Sequence, residues 1–416
     1  MGQSSRLFLL ARYWSSKGTG ALLIRTPTMS YSTLCAASTA NPSNNNVSNQ
    51  QRVYILGTGN IGTIVAHSLA SLPDSIRPRI TLILHRKSLL DAWKERGETI
   101  DMLRYEDGVS QPRGDIDVEL VGPESSQEPS RPAGEEISQS QEPIRHLILS
   151  VLASQTTGAL APIKHRLDQN STVLFLQNGM GSPNEAAEKI FPSLDTRPHF
   201  LQGIVLPGGW TLEPFVVRHA AKGNLPVGTI PRSEQWRAED QIDSKANESG
   251  NESSRYTIDI LSKPSVLAAE EVDYTELFQR QLEKLAINIV ANPLTAILNE
   301  SNAVLLQPPL LPTIQALIEE TAAIIRALPQ LKGVTGAKER FSARTLEDRV
   351  MGYLARVPEN TTSMCQHLRA GKKTEIEYIN GYLVKRAREM GVPCELNSML
   401  YQLILTKEAV TEARQG

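Results

Sequence analysis

Short apolar runs separated by helical patterns fill the first two thirds of the chain. The run at 53–56 leads into a glycine-rich turn and a helical pattern, and a second run follows in "RITLILHRK". Two strands joined through a helix predict a βαβ unit and therefore a parallel sheet. Further strands are predicted in "DIDVELV", "IRHLILSVLAS" and "STVLFLQNGMG", while "FLQGIVLPGGW" and "FVVRHAAKGNLPVGTI" are interpreted as a strand and a hairpin.

The periodicity changes after Asp273, where strand patterns end and apolar residues recur at helical spacing as far as the C-terminus. This change predicts an α/β domain over 52–270 followed by an all-α domain over 271–416. Two tracts rich in polar residues, 122–143 and 231–255, interrupt the first domain. Their composition predicts disordered insertions, because such segments cannot bury enough apolar surface to order themselves.

The overall composition is that of a globular protein with two domains or one large domain. The 416 residues are 40% hydrophobic and carry a formal net charge of −2, which gives no indication of a nucleic-acid or anionic-membrane surface. The cysteines (Cys35, Cys365 and Cys394) have no CxxC spacing and no HExxH pair occurs, so neither a disulfide framework nor a metal site is predicted. No apolar run approaches the ~18 residues of a membrane span.

The first 51 residues differ from the rest in charge. No Asp or Glu occurs before Asp74, whereas four basic residues lie between Arg6 and Arg25 among many Ser, Thr and Ala residues. This composition is typical of a mitochondrial transit peptide, and "RLFLLARYW" could form its basic amphipathic helix. We therefore expect a mitochondrial protein. The alternative is a disordered extension, with the real start at Met29, on a cytoplasmic protein.

The "GTGNIG" motif follows the first strand and opens the first helix. Glycines at this spacing allow a tight turn, close approach of a pyrophosphate and close packing of the helix on the strand. The phosphates would lie at a helix N-terminus, where free N–H groups and the helix dipole favour anions. A glycine-rich turn without a ligand is the alternative. We interpret 52–270 as a Rossmann-type dinucleotide-binding domain whose cofactor-binding residues include Gly57, Gly59, Asn60, Ile61 and Gly62.

The end of the second strand indicates which dinucleotide is bound. NAD-binding domains usually place Asp or Glu there for the ribose hydroxyls, but this chain has "HRKS". Arg86, helped by Lys87, can pair with the 2′-phosphate of NADP, which a carboxylate would repel. The alternative is a solvated basic loop. We predict NADP as the cofactor and Arg86 as a residue that binds it.

A second glycine-containing turn, "QNGMG", follows the strand "STVLFL". Asn178 therefore falls at the carboxyl end of a strand, the edge at which open α/β sheets bind their ligands. Asn-Gly pairs also form ordinary turns, so the motif alone does not decide between a binding site and a turn.

A polar stripe interrupts the apolar segment "KLAINIVANPLTAILNES". Lys284, Asn288 and Asn292 recur every four residues and so share one side of a helix. The lysine could extend to solvent, and Asn292 could compensate for the N–H that Pro293 lacks. The functional alternative is one wall of a cleft that holds a small, oxygen-rich substrate. Taken alone, the stripe favours the structural interpretation.

The segment "TTSMCQHLRAGKKTEIEYINGYLVKRAREMG" predicts an amphipathic helix that begins at Thr374, with Glu377 at the spacing of a capping box. Glu375 lies beside this start and away from the buried side, where it could stabilise the helix dipole or face a cleft. Ser363 comes shortly before the irregular "GKK" turn. The predicted buried stripe consists of Ile376, Ile379, Leu383 and Val384.

Taken in order, "GTGNIG", "QNGMG", "KLAINIVANPLTAILN" and "SMCQHLRAGKKTEIEYINGYLVKRAREMGVP" resemble the motifs of the ketopantoate reductase (2-dehydropantoate 2-reductase) family. The resemblance covers about Arg52 to Thr411, apart from the two polar tracts. The extension and the tracts suggest a eukaryotic member, such as a fungal one. The resemblance implies a substrate cleft between a Rossmann domain and a helical domain. The implied reaction is NADPH-dependent reduction of ketopantoate to (R)-pantoate, in pantothenate and coenzyme A synthesis.

The resemblance also implies residue roles. Lys284 matches the catalytic lysine, which would act as general acid, and Glu375 matches the acid that accepts from the substrate hydroxyl. Asn178 matches the asparagine near the nicotinamide ribose. An ammonium is chemically suited to this place, because negative charge grows on the carbonyl oxygen during reduction. The implied substrate-binding residues are Asn288, Asn292 and Ser363.

Two positions depart from the family pattern. The strand "HLILSVLASQTT" commonly ends with a lysine in the family, where this chain has Ala153, and His367 stands where an acid is usual. The missing cation leaves three hypotheses open: a ketopantoate reductase, a reductase of another small 2-oxoacid, or a catalytically weakened NADP-binding regulatory protein. We expect a small-molecule substrate and no nucleic-acid or membrane partner. The helical half could also form a homodimer.

Overall fold

The computed structural model describes residues 52–104, 106–122, 140–206, 208–221, 223–232 and 252–414. The predicted extension over 1–51 lies outside these residues, and so do most residues of the two predicted insertions. Within the described residues, no helix is long and apolar enough to cross a membrane. The same part of the chain contains no group of three or more His, Cys, Asp or Glu side chains that could hold a metal ion.

Twelve strands are described. They are β1 (Arg52–Leu56), β2 (Arg79–Leu84), β3 (Ile100–Leu103), β4 (Ser110–Arg113), β5 (Asp117–Leu120), β6 (His146–Leu149), β7 (Thr172–Phe175), β8 (His199–Gly203), β9 (Gly208–Glu213), β10 (Val216–Ala221), β11 (Leu225–Thr229) and β12 (Ala269–Glu271).

Short 3₁₀ turns join some of the described α-helices. The α-helices are α1 (Asn60–Ala70), α2 (Lys87–Glu95), α3 (Thr156–Leu160), α4 (Ser182–Lys189), α5 (Glu252–Ser262), α6 (Tyr274–Leu298), α7 (Leu311–Ala327), α8 (Ala337–Arg340), α9 (Ala343–Arg356), α10 (Ser363–Arg369), α11 (Asn380–Met390) and α12 (Glu395–Ala413).

Eight strands form the main sheet in the order β12-β11-β8-β7-β6-β1-β2-β5. Neighbouring strands are parallel except for the antiparallel pair of β11 and β8. The central strands β1, β6 and β7 are almost entirely buried, as strands with both faces covered must be. Chain order reverses between β1 and β6, so their carboxyl ends form the crevice in which such sheets bind ligands.

The predicted hairpin in "FVVRHAAKGNLPVGTI" was wrong. Its two halves lie in different sheets: β10 pairs with β9 and β3 in a four-stranded sheet, and β11 pairs with β8 and β12 in the main sheet. The apolar residues of the two strands suit either arrangement, and distant packing decides between them. Phe215, just before β10, is buried edge-on against Trp93 of α2, with ring centroids 5.1 Å apart. The small sheet thereby covers the side of α1 that faces away from the main sheet.

The predicted insertion over 231–255 was too long at its C-terminal end. Helix α5 begins at Glu252, and Ser253 and Ser254 are buried. The Ser253 hydroxyl donates to the Arg145 carbonyl at 2.6 Å, and the Ser254 hydroxyl lies 3.0 Å from Thr172 Oγ1 of β7. Composition alone predicted disorder for these serines, because the hydrogen-bond partners that order them lie about a hundred residues away in the chain.

Helix α6 is the centre of the helical half, where α7, α9, α10 and α12 pack against it. It begins where the Asp273 carboxylate accepts the Glu276 N–H at 3.0 Å, a side-chain cap that satisfies one free donor of the first turn. It ends at Asn299, which adopts the left-handed conformation that stops many helices (φ 60°). The long helix runs directly beside the carboxyl edge of the sheet.

Pro293 does not interrupt α6, and Asn292 does not compensate for it as the sequence analysis considered. A proline at 293 leaves the Ile289 carbonyl without its helical donor. Asn380, which is fully buried, donates its side-chain N–H to that carbonyl at 3.4 Å. The compensation therefore comes from the start of α11, and the Asn292 side chain is left for another use.

The helix predicted to begin at Thr374 begins later. Residues Ile376–Tyr378 form a 3₁₀ turn, and α11 begins at Asn380. The turn is held away from a regular helix because the Tyr378 carbonyl accepts the Met180 N–H at 2.8 Å. Thr374 caps locally by accepting from the Ile376 N–H at 3.2 Å. The predicted buried stripe is confirmed, since Ile376, Ile379, Leu383 and Val384 are at most 2% exposed.

Candidate active site

The three glycines of the first motif have three different surroundings. Gly57 has φ +109°, and a Cβ there would lie 2.7 Å from the Val151 backbone nitrogen. A Cβ on Gly62 would lie 1.8 Å from the Gly57 carbonyl oxygen, so only glycine lets α1 approach β1 this closely. Gly59 has no heavy atom within 4 Å of its Cβ position. The loop is thus tightly packed on the protein side and open at Gly59.

This open side fits a dinucleotide pyrophosphate. It lies at the N-terminus of α1, whose first turn contains no acidic residue to repel a phosphate. Asn60 ties the loop to β9, because its side chain accepts the Ile61 N–H at 3.0 Å and donates to the Gly209 carbonyl at 3.0 Å. Ile61 packs partly buried against the domain core. Asn60 and Ile61 therefore hold the loop in place, while Gly59 leaves the space for the phosphates.

Arg86 lies where it was predicted, two residues after the end of β2 and at the N-cap of α2. Its side chain is exposed, and among the described residues its guanidinium has no hydrogen bond or ion pair. A free guanidinium beside the adenosine end of the crevice suits a 2′-phosphate, which it can bind through two parallel N–H···O bonds. The surroundings of Arg86 therefore fit NADP.

Lys284 lies on the side of α6 that faces the sheet. Its ammonium donates to Asn178 Oδ1 and to the Val205 carbonyl, both at 2.9 Å. Asn178 comes from the turn after β7, and Val205 follows β8, so two strands hold the lysine of a distant helix. The spacing of the polar stripe indicated the side of α6 but contained no information about these two acceptors.

Glu375 is the carboxylate of the same cluster and is 6% exposed. One oxygen accepts the backbone N–H of Ala153 at 3.2 Å, and the other accepts from Asn178 Nδ2 at 3.4 Å. Asn178 therefore bridges the ammonium of Lys284 and the carboxylate of Glu375. Ala153 is itself fully buried, so the position that departs from the family pattern contributes a backbone donor to the carboxylate.

A short segment after β6 joins this cluster to the glycine loop. Ser150 Oγ donates to the Gly57 carbonyl at 2.8 Å, and Ala153, three residues later, bonds Glu375. The glycine loop and the Lys284 cluster therefore face one crevice at the carboxyl ends of β1, β6 and β7. This arrangement is the one expected where a hydride donor and a proton donor act on the same substrate.

Burial adjusts the protonation of both charged groups. Removal from water lowers the pKa of Lys284 to about 8, and the nearby Glu375 carboxylate opposes that fall. Burial also raises the pKa of the Glu375 carboxyl, against the lowering effects of the Ala153 N–H, Asn178 and Lys284. A lysine with a pKa near the working pH can donate a proton and be reprotonated between turnovers.

A cavity that is partly open to solvent, with an empty volume of about 430 Å³, lies beside this cluster. Asn288 and Asn292 line it from α6, and Ser363 lines it from the start of α10. Within the described residues, none of these three side chains has a hydrogen-bond partner, so their donors and acceptors are available to a ligand. Three further residues of the lining were not predicted from the sequence: Tyr353, Asn360 and Thr362. Two of them lie within three residues of Ser363, but Tyr353 of α9 gave no local signal.

A second, smaller cavity, also partly open to solvent and with an empty volume of about 280 Å³, shares Asn178 and Asn288 with the first and includes Lys284 in its lining. Three glutamines, Gln177, Gln202 and Gln281, line it. Gln177 Nε2 donates to Thr156 Oγ1 at 2.5 Å, whereas its buried Oε1 has no partner. Gln177 is the first residue of the "QNGMG" turn, but no motif in the sequence connected it with Gln202 and Gln281, because the three come from separate elements.

The fold and the site together define a class of protein. A dinucleotide loop at a sheet crossover and a desolvated lysine in the same crevice are the parts of a nicotinamide-dependent oxidoreductase. Two family models match the chain: "Ketopantoate reductase PanE/ApbA" matches residues 53–232, and "Ketopantoate reductase PanE/ApbA C terminal" matches residues 276–408. The matches cover more than half of the chain, which belongs to the ketopantoate reductase family.

Curated relatives agree with this family. The chain is 31% identical over 359 residues to the "Probable 2-dehydropantoate 2-reductase" of Schizosaccharomyces pombe, covering 85% of this chain and 95% of that one. It is 26% identical to the "2-dehydropantoate 2-reductase" of Saccharomyces cerevisiae, covering 87% and 96%. It is also 26% identical to the "Ketoisovalerate reductase BEA2" of Gibberella fujikuroi, covering 83% and 80%. These fungal relatives support the expected fungal membership.

Solved structures share the fold. A ternary structure of D-mandelate dehydrogenase with NADH and anilino(oxo)acetate superimposes with a TM-score of 0.62 at 18% identity, covering 86% of this chain and 99% of that one. A PanE/ApbA family ketopantoate reductase from Ralstonia eutropha superimposes with a TM-score of 0.61 at 20% identity, covering 87% and 99%. The prediction of a Rossmann-type domain followed by a helical domain is confirmed.

Proposed function

We propose that the chain catalyses the NADPH-dependent reduction of 2-dehydropantoate to (R)-pantoate, a step of pantothenate and coenzyme A synthesis. The observation that carries the proposal is the Lys284–Asn178–Glu375 cluster, which lies between the glycine loop and a cavity lined with free amides. The names of the Schizosaccharomyces and Saccharomyces relatives support this substrate.

NADPH, when bound, supplies the hydride that reduces the C2 carbonyl of the substrate. Lys284 stabilises the negative charge that grows on the carbonyl oxygen and gives that oxygen its proton. With a pKa of about 8, the lysine is mostly protonated at neutral pH and therefore ready to act as an acid. One proton is taken up from solvent for each molecule reduced, because the lysine must regain the proton that it gives.

Glu375 and the amides of the cavity position the substrate. Glu375 accepts a hydrogen bond from the substrate hydroxyl. It also accepts from Asn178, which in turn accepts from Lys284, so Glu375 helps to hold the lysine side chain in the crevice. Asn288, Asn292 and Ser363 bind the carboxylate and carbonyl oxygens through N–H and O–H donors. Among the described residues that line the two cavities, Lys284 is the only cation. Neutral donors thus take the larger share of oxygen recognition.

The test is an assay of NADPH oxidation by the purified full chain with 2-dehydropantoate, compared with Lys284→Ala and Ala153→Lys. We expect turnover for the wild type and a loss of turnover in Lys284→Ala with NADPH binding retained. Ala153→Lys should lower stability, because residue 153 is fully buried and a lysine side chain there would be both too large and taken out of water. NADPH binding with no turnover of any 2-oxoacid would favour the regulatory-protein hypothesis instead.

A second candidate substrate is 2-ketoisovalerate, a smaller branched 2-oxoacid. It is favoured by the similarity to the Gibberella "Ketoisovalerate reductase BEA2". The two substrates differ by one hydroxymethyl group, whose hydroxyl would need a partner such as Glu375. Comparing kcat/KM over a panel of branched 2-oxoacids decides between them, since a site built to bind a hydroxyl rejects substrates that lack it.

Two further properties remain proposals. We propose import into mitochondria, supported by the acid-poor, basic composition before Asp74. Fluorescent fusions of the full chain and of a chain starting at Met29 would test this.

We also propose self-association into a homodimer. The dimeric ketopantoate reductase from Staphylococcus aureus supports this proposal, since its fold matches with a TM-score of 0.59 at 18% identity.

A further inference from the structure

Two turns from different halves of the chain meet at the candidate active site. Residues 178–181 lie between β7 and α4, and we call them the Asn178 turn. Residues 375–378 lie just before α11, and we call them the Glu375 turn. The Met180 N–H of the first donates to the Tyr378 carbonyl of the second at 2.8 Å. The position of one turn on the other therefore sets the distance between Asn178 and Glu375.

The contact between the two turns leaves no room for a side chain at Gly179. This residue has φ +82°, and a Cβ there would lie 2.4 Å from the Tyr378 carbonyl oxygen. Both the positive φ and the collision require glycine. The glycine of the "QNGMG" motif is thus explained by the close approach of the Glu375 turn.

The side chain of Tyr378 makes a second connection between the halves. Its hydroxyl donates to Glu185 Oε2, in the first turn of α4, at 2.7 Å. The other carboxylate oxygen of Glu185 accepts from Lys189 Nζ at 2.7 Å. A hydrogen bond from a hydroxyl to an ionised carboxylate is stronger than one between neutral groups. Tyr378 is therefore held at its carbonyl by one turn and at its hydroxyl by a helix.

Both partners of this bond keep the protonation state that it needs. Burial raises the pKa of the Tyr378 phenol, and the carboxylates of Glu185 and Glu377 raise it further. Burial alone would raise the pKa of the Glu185 carboxyl, but hydrogen bonds from Lys189 and Tyr378 and the charges of Lys189 and Lys385 lower it. The phenol therefore stays protonated and the carboxylate ionised throughout the neutral pH range.

The Glu375 turn transmits the position of Tyr378 to the catalytic cluster. The Tyr378 N–H donates to the Glu375 carbonyl at 3.0 Å, so the two ends of the turn are bonded to each other. The Glu375 carboxylate accepts from the Ala153 N–H at 3.2 Å and from Asn178 at 3.4 Å. Asn178 accepts from Lys284 at 2.9 Å. The bond of 3.4 Å is the longest in this series, so a shift of the turn would break it first.

We propose that Tyr378 is a positioning residue of the reductase site. Through its bond to Glu185 it holds the Glu375 carboxylate in place, and that carboxylate in turn fixes Asn178 and supports the charge of Lys284. Tyr378 acts through Glu375 and takes no part in proton or hydride transfer. The inference rests on the proposed function and adds to it a hydroxyl group outside both cavities.

The first experiment measures the pKa of Lys284 without turnover. The purified full chain is labelled with a small amine-reactive reagent over a pH series, and mass spectrometry quantifies modified Lys284, since only the neutral amine reacts. Tyr378→Phe removes the hydroxyl, and Glu185→Ala removes its acceptor. Tyr382→Phe is the matched control: Tyr382 packs beside Gly181 of the Asn178 turn, and in the described part of the chain its hydroxyl has no hydrogen-bond partner.

We expect the labelling midpoint to move to lower pH in Tyr378→Phe and in Glu185→Ala, because a displaced Glu375 carboxylate no longer holds the pKa of Lys284 up. The shift should have the direction of that in Glu375→Gln and be smaller. Glu185→Gln keeps an oxygen acceptor and should restore most of the wild-type midpoint, and Tyr382→Phe should match the wild type.

The midpoint distinguishes positioning from stability. A bond with a purely structural role would lower the Tm and leave the midpoint unchanged, so thermal denaturation is measured on the same proteins. An unchanged midpoint in folded Tyr378→Phe overturns the inference, and so does an equal shift in Tyr382→Phe. Glu185→Ala decides the question if Tyr378→Phe fails to fold, because it breaks the same bond from the other side.

Steady-state kinetics measure the consequence for the reaction. We expect kcat of Tyr378→Phe to fall about tenfold or more with an unchanged Kd for NADPH. The double variant with Glu185→Ala should fall no further, since both changes remove one bond, and additive losses would contradict this. A wild type that reduces no 2-oxoacid ends the proposed function alone, because the labelling experiment still decides whether Tyr378 positions the charge near Lys284.

Discussion

The glycine loop and the substrate cavity lie in one crevice but are built in opposite ways. Around Gly57 and Gly62 the backbone is packed so closely that a single Cβ would collide with main-chain atoms. Around Asn288 and Asn292, amide groups have no protein partner within the described residues. The loop is complete before its ligand arrives, whereas the cavity keeps hydrogen-bond groups free for a ligand to satisfy. Changes in the loop should therefore affect folding and cofactor binding, and changes in the cavity cluster should affect the reaction.

The largest effect is expected from Lys284→Ala, which removes the proton donor without touching the loop. We expect kcat/KM to fall by about 10³-fold or more, because both charge stabilisation and proton transfer are lost. Steady-state kinetics measure the loss, and titration of NADPH by fluorescence should give a nearly unchanged Kd. If Lys284→Ala lost NADPH affinity to the same extent as activity, cofactor binding and catalysis would not be assigned to separate regions.

Gly62→Ala and Gly59→Ala separate folding from binding within the loop. A Cβ at residue 62 meets the Gly57 carbonyl at 1.8 Å, so this variant should lose several kcal/mol of stability together with NADPH affinity. A Cβ at residue 59 meets only open space, so Gly59→Ala should keep its Tm and bind NADPH about tenfold or more weakly. Thermal denaturation without cofactor, followed by NADPH titration, distinguishes them. Equal Tm values for the two variants would contradict the different roles.

Arg86→Ala tests the outer end of the same crevice. The loss of a guanidinium–phosphate pair should weaken NADPH by about 10- to 100-fold and leave NADH binding nearly unchanged. Lys94→Ala, a lysine further along α2, is a matched control for the removal of one positive charge. Titrations of NADPH and NADH against the three proteins check the prediction, and an equal change for both cofactors would show that Arg86 does not contact the 2′-phosphate.

The pH dependence is a smaller and more specific test of the cavity cluster. Reduction needs protonated Lys284, so kcat should fall as the pH rises through about 8 and continue to fall tenfold per pH unit. The Glu375 carboxylate holds the pKa of Lys284 up, so Glu375→Gln should move this fall to lower pH. Glu375→Asp, which keeps the charge, is the control. A pH limb at the same position in Glu375→Gln would show that the two groups are not coupled.

Sequence reasoning predicted the glycine loop well because its determinants are consecutive. Each residue of "GTGNIG" constrains the next through local backbone geometry, and the following helix could be read from the same stretch. The side of α6 that carries Lys284, Asn288 and Asn292 was equally accessible, since helical spacing alone defines it. The resemblance to a known family supplied their chemical roles.

Other parts of the site depend on contacts between distant residues. The Val205 carbonyl and the Ala153 N–H are backbone groups, so no side-chain pattern could indicate them. Asn380 compensates for Pro293 from a position 87 residues further along the chain, a contact that only the packed fold creates. Tyr353 and Gln177 reach their cavities for the same reason. The hairpin error also belongs here, because apolar strands carry no sign of which sheet they will join.

The two acceptors of Lys284 have a consequence for the shape of the product. An ammonium has three N–H groups, and Asn178 and Val205 engage two of them, so only the third is directed at the substrate. After that proton leaves, the neutral amine keeps both anchors and does not need to turn. The oxygen is therefore always protonated from one fixed direction. Which mirror image of the alcohol forms is set at the carbon, by the face of the carbonyl that receives the hydride. Lys284 fixes the position of the oxygen, and the proposed substrate contacts Asn288, Asn292 and Ser363 must fix the face.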